Sequence, residues 1–194
     1  VARINGASSP LPVSTFAPLQ GDASVRLLIV GVAPGLRGAN RTGRPFTGDY
    51  AGVLLYSTLH RFGFASRPQS VSADDGLQLI DCRITNAVKC VPPENKPETS
   101  EIKTCNRFLA NELAAAPEAC IILALGLVAH NAVLAGLTLQ RSACKFAHGA
   151  RHALPDGRIL HDSYHCSRHN TQTRRLTEPA FHAVFEAIRA DLKT

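Results

Sequence analysis

One stretch constrains the fold more than any other, residues 27–55, LLIVGVAPGLRGANRTGRPFTGDYAGVLL. An apolar run typical of a buried strand ends at Gly31, and the next eighteen residues hold four glycines, two prolines and three arginines. The pattern predicts a strand, a glycine-rich loop and then a helix. Ligands of open parallel α/β sheets bind beyond the carboxyl ends of the strands, where glycines expose backbone N–H groups. We therefore expect this loop to line a site, although a connector that only turns the chain could have the same composition.

The loop does not match the common nucleotide-binding motifs. A P-loop requires G-x-x-x-x-G-K-[ST], and a dinucleotide-binding fold requires G-x-G-x-x-G with an acidic residue about twenty positions later. The loop glycines have neither spacing, and the loop contains no lysine. What it offers is charge, an aromatic ring and an acid, in Asn40, Arg41, Arg44, Phe46, Thr47 and Asp49.

Hydrophobic periodicity along the rest of the chain predicts alternating strands and helices. Asp49 is placed to cap the first helix, and Thr99 or Ser100 to cap the second. Successive strand–helix units favour parallel pairing with right-handed crossovers. The predicted fold is an α/β, three-layer α/β/α sandwich with a central, mainly parallel four-stranded sheet. The predicted strands are 25–30, 83–89, 119–126 and 158–164, and the predicted helices are 50–62, 99–117, 127–137 and 178–192.

Length and composition fit one globular domain. Residues 1–24 are rich in Pro, Ser, Ala and Gly without periodicity and are predicted to form an extended N-terminal arm, followed by a single domain over 25–194. No apolar run reaches the roughly 18 residues of a membrane helix, and no signal-peptide pattern is visible. We therefore expect a cytoplasmic protein without a membrane partner. The net charge of +6 favours a polyanionic partner.

The six cysteines do not form a recognisable metal or redox motif. They lie at positions 82, 90, 105, 120, 144 and 166, without a C-x-x-C pair, which excludes a zinc ribbon and a thioredoxin-type site. Disulfides are not expected in a chain without a secretion signal. Cys120 and Cys166 lie in apolar, strand-like runs and are predicted to be buried free thiols.

Three segments directly follow predicted strands, so their side chains are expected to meet at one edge of the sheet. They are GVAPGLRGANRTGRPFTGD (31–49), NAVKCVPPENKP (86–97) and SYHCSRHNTQTRRLT (163–177). Together they resemble the uracil-DNA glycosylase superfamily, most closely its family 5, or type B, over the chain from about Arg26 onward. The resemblance implies a monofunctional DNA repair enzyme that hydrolyses the N-glycosidic bond of uracil in DNA, leaves an abasic site and has no lyase activity.

Cutting a base from DNA requires a pocket for one extruded nucleotide. Phe46 is the predicted stacking platform for the base, with a plain core contact as the alternative. The Asn86 amide can pair with both N3–H and O4 of uracil, a pattern that cytosine mismatches, and its alternative role is to tie down a loop at the strand end. The predicted uracil-binding residues are Gly31, Ala33, Pro34, Gly35, Phe46 and Asn86.

Two catalytic residues are carried over from the resemblance. The histidine that matches His165 reaches the O2 side of uracil in these enzymes, so His165 is expected to stabilise charge on the departing base. Many relatives have a carboxylate or asparagine where this chain has Ala33. Type B enzymes have alanine there, and in them the acid that matches Asp49 activates water. Asp49 could instead serve only as a helix cap, and the two roles are compatible.

One departure from the type B pattern concerns the substrate. That pattern often has a small residue where this chain has Asn86, and the absence of the asparagine accompanies acceptance of other deaminated bases. We therefore expect uracil to be the best substrate and hypoxanthine a weaker one.

The alternative function is a uracil-DNA binding or trapping protein with little turnover, although the arginine-rich insertion of that branch is missing after Asp49.

A cofactor is a further point of departure. Type A and B relatives usually hold a [4Fe-4S] cluster through an early C-x-x-C pair and two later cysteines. Cys90 and Cys105 match the later pair, and the early pair is absent. Such a cluster requires four thiolates. We therefore expect no metal and no cofactor, unless sequence upstream of Val1 supplies two more cysteines.

The expected partner is uracil-containing DNA, with free uracil as the product. The basic, hydroxyl-rich segment after His165 suits phosphate contacts, and in the resembled family a loop there enters the duplex. Arg37 and Lys89 could extend the track, although any arginine here could simply be solvated. We expect a monomer that associates with the nucleoid when bound to DNA. The predicted DNA-binding residues are Arg41, Arg44, Ser167, Arg168, Asn170, Thr171 and Arg174.

Overall fold

A five-stranded sheet forms the centre of the computed structural model, which describes residues 25–93 and 96–193. The strand order is β2-β1-β3-β5-β4. Four of the strands are parallel, as predicted, and β4 runs antiparallel to β5 at one edge. The predicted arm, residues 1–24, lies outside the described residues. The strands are β1 (Leu27–Gly31), β2 (Cys82–Asn86), β3 (Ile121–Leu125), β4 (Arg151–Ala153) and β5 (Ile159–Ser163).

Helices cover both faces of the sheet, which confirms the predicted three-layer sandwich. Alternate β1 residues face opposite layers: Leu27 and Ile29 pack with α2 and α6, whereas Leu28 and Val30 pack with α3 and α4. No helix in the described ranges is both long and apolar enough to traverse a bilayer. The helices are α1 (Ala39–Thr42), α2 (Tyr50–Arg61), α3 (Thr99–Ala115), α4 (Leu127–Gly136), α5 (Arg168–Gln172) and α6 (Glu178–Asp191).

The prediction of four strands missed β4. This strand has only three residues, two of them exposed, so it carries no hydrophobic alternation. It forms because a tight turn, with Gly157 at a φ of 87°, folds it back onto β5. The predicted cap of the second helix was also wrong: Glu98 occupies the N-cap and forms a reciprocal capping box with Glu101.

Lys89 is buried and does not extend a DNA-binding track. Its Nζ lies 2.8 Å from Glu112 Oε2 and 2.6 Å from Thr85 Oγ1, so it links the end of β2 to α3. Burial lowers the pKa of Lys89, and the neighbouring carboxylate opposes that shift. The sequence could not distinguish this lysine from a surface one, because Glu112 lies 23 positions later.

A triad formed by the buried His130 and Asp162 and the half-buried His152 anchors the segment that precedes β5. His130 Nδ1 lies 2.8 Å from Asp162 Oδ1, and His152 Nε2 lies 3.0 Å from Asp162 Oδ2. The other nitrogen of His130 faces the Cys144 carbonyl oxygen at 3.0 Å. Burial alone would lower the pKa of His130, but Asp162 and this carbonyl raise it. Both ring nitrogens face acceptors, so we interpret His130 as an imidazolium.

We expect Asp162→Ala to lower the free energy of unfolding by about 3–5 kcal/mol, because it leaves a buried imidazolium without its partner. Denaturant unfolding measures the loss. The wild-type contribution is fully present below the unfolded histidine pKa of about 6.5 and declines as the pH rises through the raised folded pKa of His130.

Glu178→Ala is the matched control, because Glu178 lies 3.8 Å from His182 but is 67% exposed. We expect its removal to change the free energy of unfolding by less than about 1 kcal/mol. Equal losses of unfolding free energy for the two substitutions would contradict a buried imidazolium at His130.

Candidate active site

The three segments that follow β1, β2 and β5 meet in one narrow recess at the carboxyl edge of the sheet. This confirms the central geometric expectation from the sequence, since residues from each segment line it together. Seven of the eight lining residues were among the predicted site residues, and Ala39 was not. The lining residues are Ala33, Pro34, Gly35, Ala39, Phe46, Asp49, Asn86 and His165.

Gly31 lies beneath the recess and allows its two main walls to approach each other. It is the register partner of Asn86 where β1 and β2 end. A Cβ at this position would lie 2.3 Å from Asn86 Oδ1 and 2.7 Å from Phe46 Cζ. Any side chain on Gly31 would therefore displace both residues.

The Asn86 side chain presents an unsatisfied acceptor to the recess. The residue is 2% exposed, and its Oδ1 has no hydrogen-bond partner in the part of the chain that the structure describes. A buried polar atom without a partner costs roughly 1–3 kcal/mol. Because this oxygen ties down no loop, the arrangement favours a ligand that donates a hydrogen bond here.

Phe46 is held in an uncommon backbone conformation, with a φ of 56°. The carbonyl of Phe46 lies so close to Gly52 that a Cβ on this glycine would be 1.6 Å from the oxygen. Tyr56 Oη donates to the Pro45 carbonyl at 2.7 Å and supports the same turn. Phe46 is 7% exposed and belongs to the hydrophobic core, so the core contact exists, and the same residue also lines the recess. Such local strain is typical of functional sites.

His165 forms the wall beside Phe46, with a distance of 5.8 Å between the two ring centroids. Burial lowers the pKa of His165 to about 4, so the imidazole is neutral at pH 7. No hydrogen bond to the ring is seen from residues in the described ranges. The backbone is fixed instead: Asn170 Nδ2 donates to the His165 carbonyl at 2.8 Å. A neutral imidazole can donate one N–H to an anion that forms in the recess.

Asp49 caps α2 with one carboxylate oxygen and presents the other to the glycine loop that lines the recess. Its Oδ1 accepts from the Gly52 N–H at 3.0 Å and caps α2, as predicted. Its Oδ2 faces the glycine loop, where a Cβ on Gly38 would lie 2.8 Å away. Desolvation raises the pKa of Asp49, and the N–H groups of Gly52 and Ala51 oppose the shift. The geometry accommodates both roles predicted for this carboxylate.

A wider groove of about 760 Å³ opens from the recess. It shares Ala33, Gly35, Asp49 and His165 with the recess, so the two spaces are continuous. The outer part of the groove is formed by residues of the glycine loop, the start of α2 and the start of α5. These are Leu36, Arg37, Tyr50, Ser167 and Arg168.

Arg44 does not fit the predicted DNA-binding role. Its guanidinium donates to Asp75 Oδ1 at 2.6 Å, to Ser70 Oγ at 3.1 Å and to the Ala73 carbonyl at 2.7 Å. These bonds tie the glycine loop to the segment 70–77. The guanidinium is therefore occupied within the protein. The sequence held no signal for this, because the partners lie 26 to 31 positions away.

The other predicted DNA-binding residues fall into two groups. Arg41, Arg168 and Arg174 are exposed, and only Arg168 of these lines the groove. The remaining three serve α5 itself. Ser167 accepts from the Asn170 N–H as the N-cap, Asn170 holds the His165 carbonyl, and Thr171 bonds to the Ser167 and Arg168 carbonyls.

Sequence analysis missed the supporting residues of the site. Gly52 and Tyr56, which hold the Phe46 turn, looked like ordinary positions of α2. Asn170 was considered only as a DNA contact. The spacing of Asn170 five residues after His165, behind a serine N-cap, could have suggested a short helix that holds the histidine.

The described cysteines and histidines do not supply a metal site that we can support. Burial raises the pKa of the Cys90 thiol, and Cys105 adds to the shift. Of the six cysteines in the sequence, only this pair has the spacing of cluster ligands, and two thiolates supply half of the four that a [4Fe-4S] cluster requires. Ligand atoms of the His130 triad lie within 4.8 Å of one another, but hydrogen bonds within the triad already engage them.

Comparison with known proteins identifies the family of the chain. The model of the "Uracil DNA glycosylase superfamily" matches residues 18–192. The "Type-5 uracil-DNA glycosylase" of Thermus thermophilus is 50% identical over 87% of this chain and 77% of its own length. The proteins of the same name from Pyrobaculum aerophilum and Mycobacterium leprae are 39% and 43% identical over 90% and 87% of the chain, and over 75% and 74% of their own lengths. The chain therefore belongs to the uracil-DNA glycosylase superfamily, alongside its type-5 members.

Proposed function

We propose that this protein is a uracil-DNA glycosylase of base excision repair, which hydrolyses the N-glycosidic bond of uracil in DNA and leaves an abasic site. The unpaired Asn86 Oδ1 in a recess walled by Phe46 and His165 carries the proposal. The names of the type-5 relatives support it. The products are free uracil and DNA with an abasic site, without strand cleavage by the protein.

The recess recognises uracil through the Asn86 amide. Uracil N3–H supplies the donor that Oδ1 lacks, and uracil O4 accepts from the amide NH₂. Cytosine has an acceptor at N3 and a donor at N4, so it leaves both amide groups unpaired. A site built around buried polar groups rejects such a mismatch strongly. Phe46 packs against the face of the base.

His165 stabilises the departing base. As the bond between C1′ and N1 breaks, its electron pair stays on uracil, and negative charge spreads to O2. The neutral imidazole donates an N–H to this charge, and backbone N–H groups of the glycine loop add to the same field. Preorganised donors of this kind supply the largest part of many rate accelerations.

Asp49 directs the water. Its carboxylate lies at the mouth of the recess, where the sugar of an inserted nucleotide would stand. The water attacks C1′, and its proton passes to the carboxylate. The raised pKa of Asp49 makes it a better proton acceptor at neutral pH than an ordinary aspartate. The bond of Oδ1 to Gly52 fixes the direction of the carboxylate.

One local feature favours an enzyme that turns over uracil-DNA rather than a protein that traps it. Helix α2 begins at Tyr50, directly after Asp49, so the described chain has no insertion there. The arginine-rich insertion of the trapping branch would have to occupy this position.

We further propose a monomer that needs no iron–sulfur cluster, works in the cytoplasm and associates with the nucleoid on DNA. Iron analysis of the purified chain tests the cofactor proposal, and bound iron would overturn it.

Incubation with a uracil-containing oligonucleotide, followed by hot alkali, tests the function. We expect cleavage at uracil, no cleavage at cytosine and slower release of hypoxanthine. Free uracil in the supernatant identifies hydrolysis. Retention of intact uracil-DNA by the protein, with no uracil released, would favour the trapping alternative.

Asp49→Asn is expected to lower kcat by about 10²- to 10⁴-fold, because the amide cannot accept the proton. Asparagine is an equally good N-cap, so the melting temperature should change little. In wild type, kcat falls as the pH drops through the raised pKa of Asp49. The Asp49→Asn profile should lose this acidic limb, whereas a retained limb would assign the titration to another group.

His165→Ala should lower kcat by about 10²- to 10³-fold, through loss of the donor to O2. Because the pKa of His165 is about 4, its titration should add no limb above pH 5. Single-turnover rates between pH 5 and 8 measure both effects. An unchanged rate would remove His165 from the mechanism.

Gly31→Ala should reduce kcat/KM by about 10²-fold or more, because the methyl group pushes Asn86 and Phe46 from their positions. Gly149→Ala is the control. Gly149, unlike Gly31, has a positive φ, of 78°, but a Cβ there meets nothing within 4 Å. The control should cost about 1 kcal/mol in stability and leave the excision rate intact. A normal rate for Gly31→Ala would show that the recess tolerates a side chain.

A further inference from the structure

The groove outside the recess contains an aromatic side chain that the mechanism above does not use. Tyr50 is the first residue of α2, directly after Asp49, and it is 47% exposed. Leu36, 44% exposed, lines the same groove. Exposed apolar side chains are common on any protein and mean little when scattered. Here two of them lie in one concave surface that is continuous with the recess.

The charge around Tyr50 suits a nucleic acid strand. Arg37, Arg168 and the Ser167 hydroxyl line the groove, and Asp49 is the one acid among its lining residues. The Arg168 Cζ lies 5.9 Å from the Tyr50 ring centroid, at the outer limit of a cation–π contact. The guanidinium therefore lies over one face of the ring at this distance, and Tyr50 remains 47% exposed. An aromatic face next to a positive charge is the arrangement that single-stranded nucleic acid binders use for a base and its phosphate.

Continuity of the DNA strand determines what reaches the groove. A uracil inserted between Phe46 and His165 remains linked through its sugar to the adjoining nucleotides. The sugar of that uracil stands near Asp49, and Tyr50 is the next residue along the chain. One adjoining nucleotide therefore enters the groove as the strand leaves the recess.

We propose that the groove is a subsite for the nucleotide adjoining the target uracil, whose base stacks on Tyr50 while Arg168 holds its phosphate. The proposal rests on the uracil-DNA glycosylase function proposed above. It adds a residue that determines how the flanking strand is held. Stacking has no preference for one base over another, so the subsite accepts any neighbour.

A cycle of protein and DNA changes tests the subsite. Single-stranded oligonucleotides carry one uracil, with a normal nucleotide or a base-free tetrahydrofuran residue as its 5′ or its 3′ neighbour. Wild type, Tyr50→Phe and Tyr50→Ala are compared by KM and kcat. With normal neighbours, Tyr50→Ala should raise KM about 5- to 100-fold and leave kcat nearly unchanged. Tyr50→Phe should behave as wild type.

The decisive result is that the effect of Tyr50→Ala and the effect of removing the neighbouring base do not add. Removing the neighbouring base on the correct side should weaken wild type as much as Tyr50→Ala does, and should not weaken Tyr50→Ala further. Val53→Ala is the matched control, because Val53 is 66% exposed on the same helix and lies outside the groove lining. It should leave KM unchanged.

Several outcomes would overturn the subsite. An unchanged KM in Tyr50→Ala would do so. So would an equal rise in KM for Tyr50→Ala on all substrates, or effects of the protein and DNA changes that add for both the 5′ and the 3′ neighbour. Melting temperatures of the variants identify any loss caused by misfolding. If Tyr50→Ala misfolds, Tyr50→Phe replaces it, because the subsite predicts a wild-type KM for this variant. If wild type itself releases no uracil, the proposed function fails. If wild type releases uracil but the cycle is additive, only the subsite fails.

Discussion

The pairing of Gly31 with Asn86, at the ends of two adjacent parallel strands, sets the position of everything in the site. It brings the amide to the edge of the sheet and leaves the space above Gly31 to the Phe46 ring. A shift of one residue in this register would turn the Asn86 side chain to the other face of the sheet. The recess therefore depends on sheet pairing before it depends on any loop.

The recess is prepared for its ligand at a cost that the core offsets. Within the described part of the chain, an amide oxygen is buried without a partner, a phenylalanine is held at a positive φ and an imidazole is partly removed from water. Each of these is unfavourable in the free protein. The apolar layers on both faces of the sheet make them tolerable, because they fix β1 and α2 rigidly. Binding of a base with a suitable donor relieves part of this cost.

Much of the fold could be predicted from the sequence, because its signals are local. The buried apolar run of β1, the Asp49 cap and the amphipathic α6 each follow from a few neighbouring residues. Convergence of the three loops followed from parallel pairing alone. The roles of Asn86 and His165 came from resemblance to a family, since a single amide and a single histidine carry no such information.

The rest could not be predicted, for a common physical reason. Lys89 and Arg44 looked like surface cations, yet each is paired with an acid more than twenty positions away. Strand β4 exists only because β5 offers it an edge. Gly52 has a low helix propensity, and only its close approach to the Phe46 carbonyl explains why a glycine stands there. In each case the deciding partner is distant in the sequence and close in space.

The double use of Asp49 restricts how this position can change in evolution. One oxygen caps a helix, and the other faces the glycine loop that lines the recess. A serine would preserve folding and remove the carboxylate, whereas a glutamate would keep the charge and displace both oxygens by a methylene. In the mechanism proposed above, selection for a folded chain and selection for repair therefore act on the same side chain, and a lineage that no longer needed the second could still retain a polar cap at residue 49.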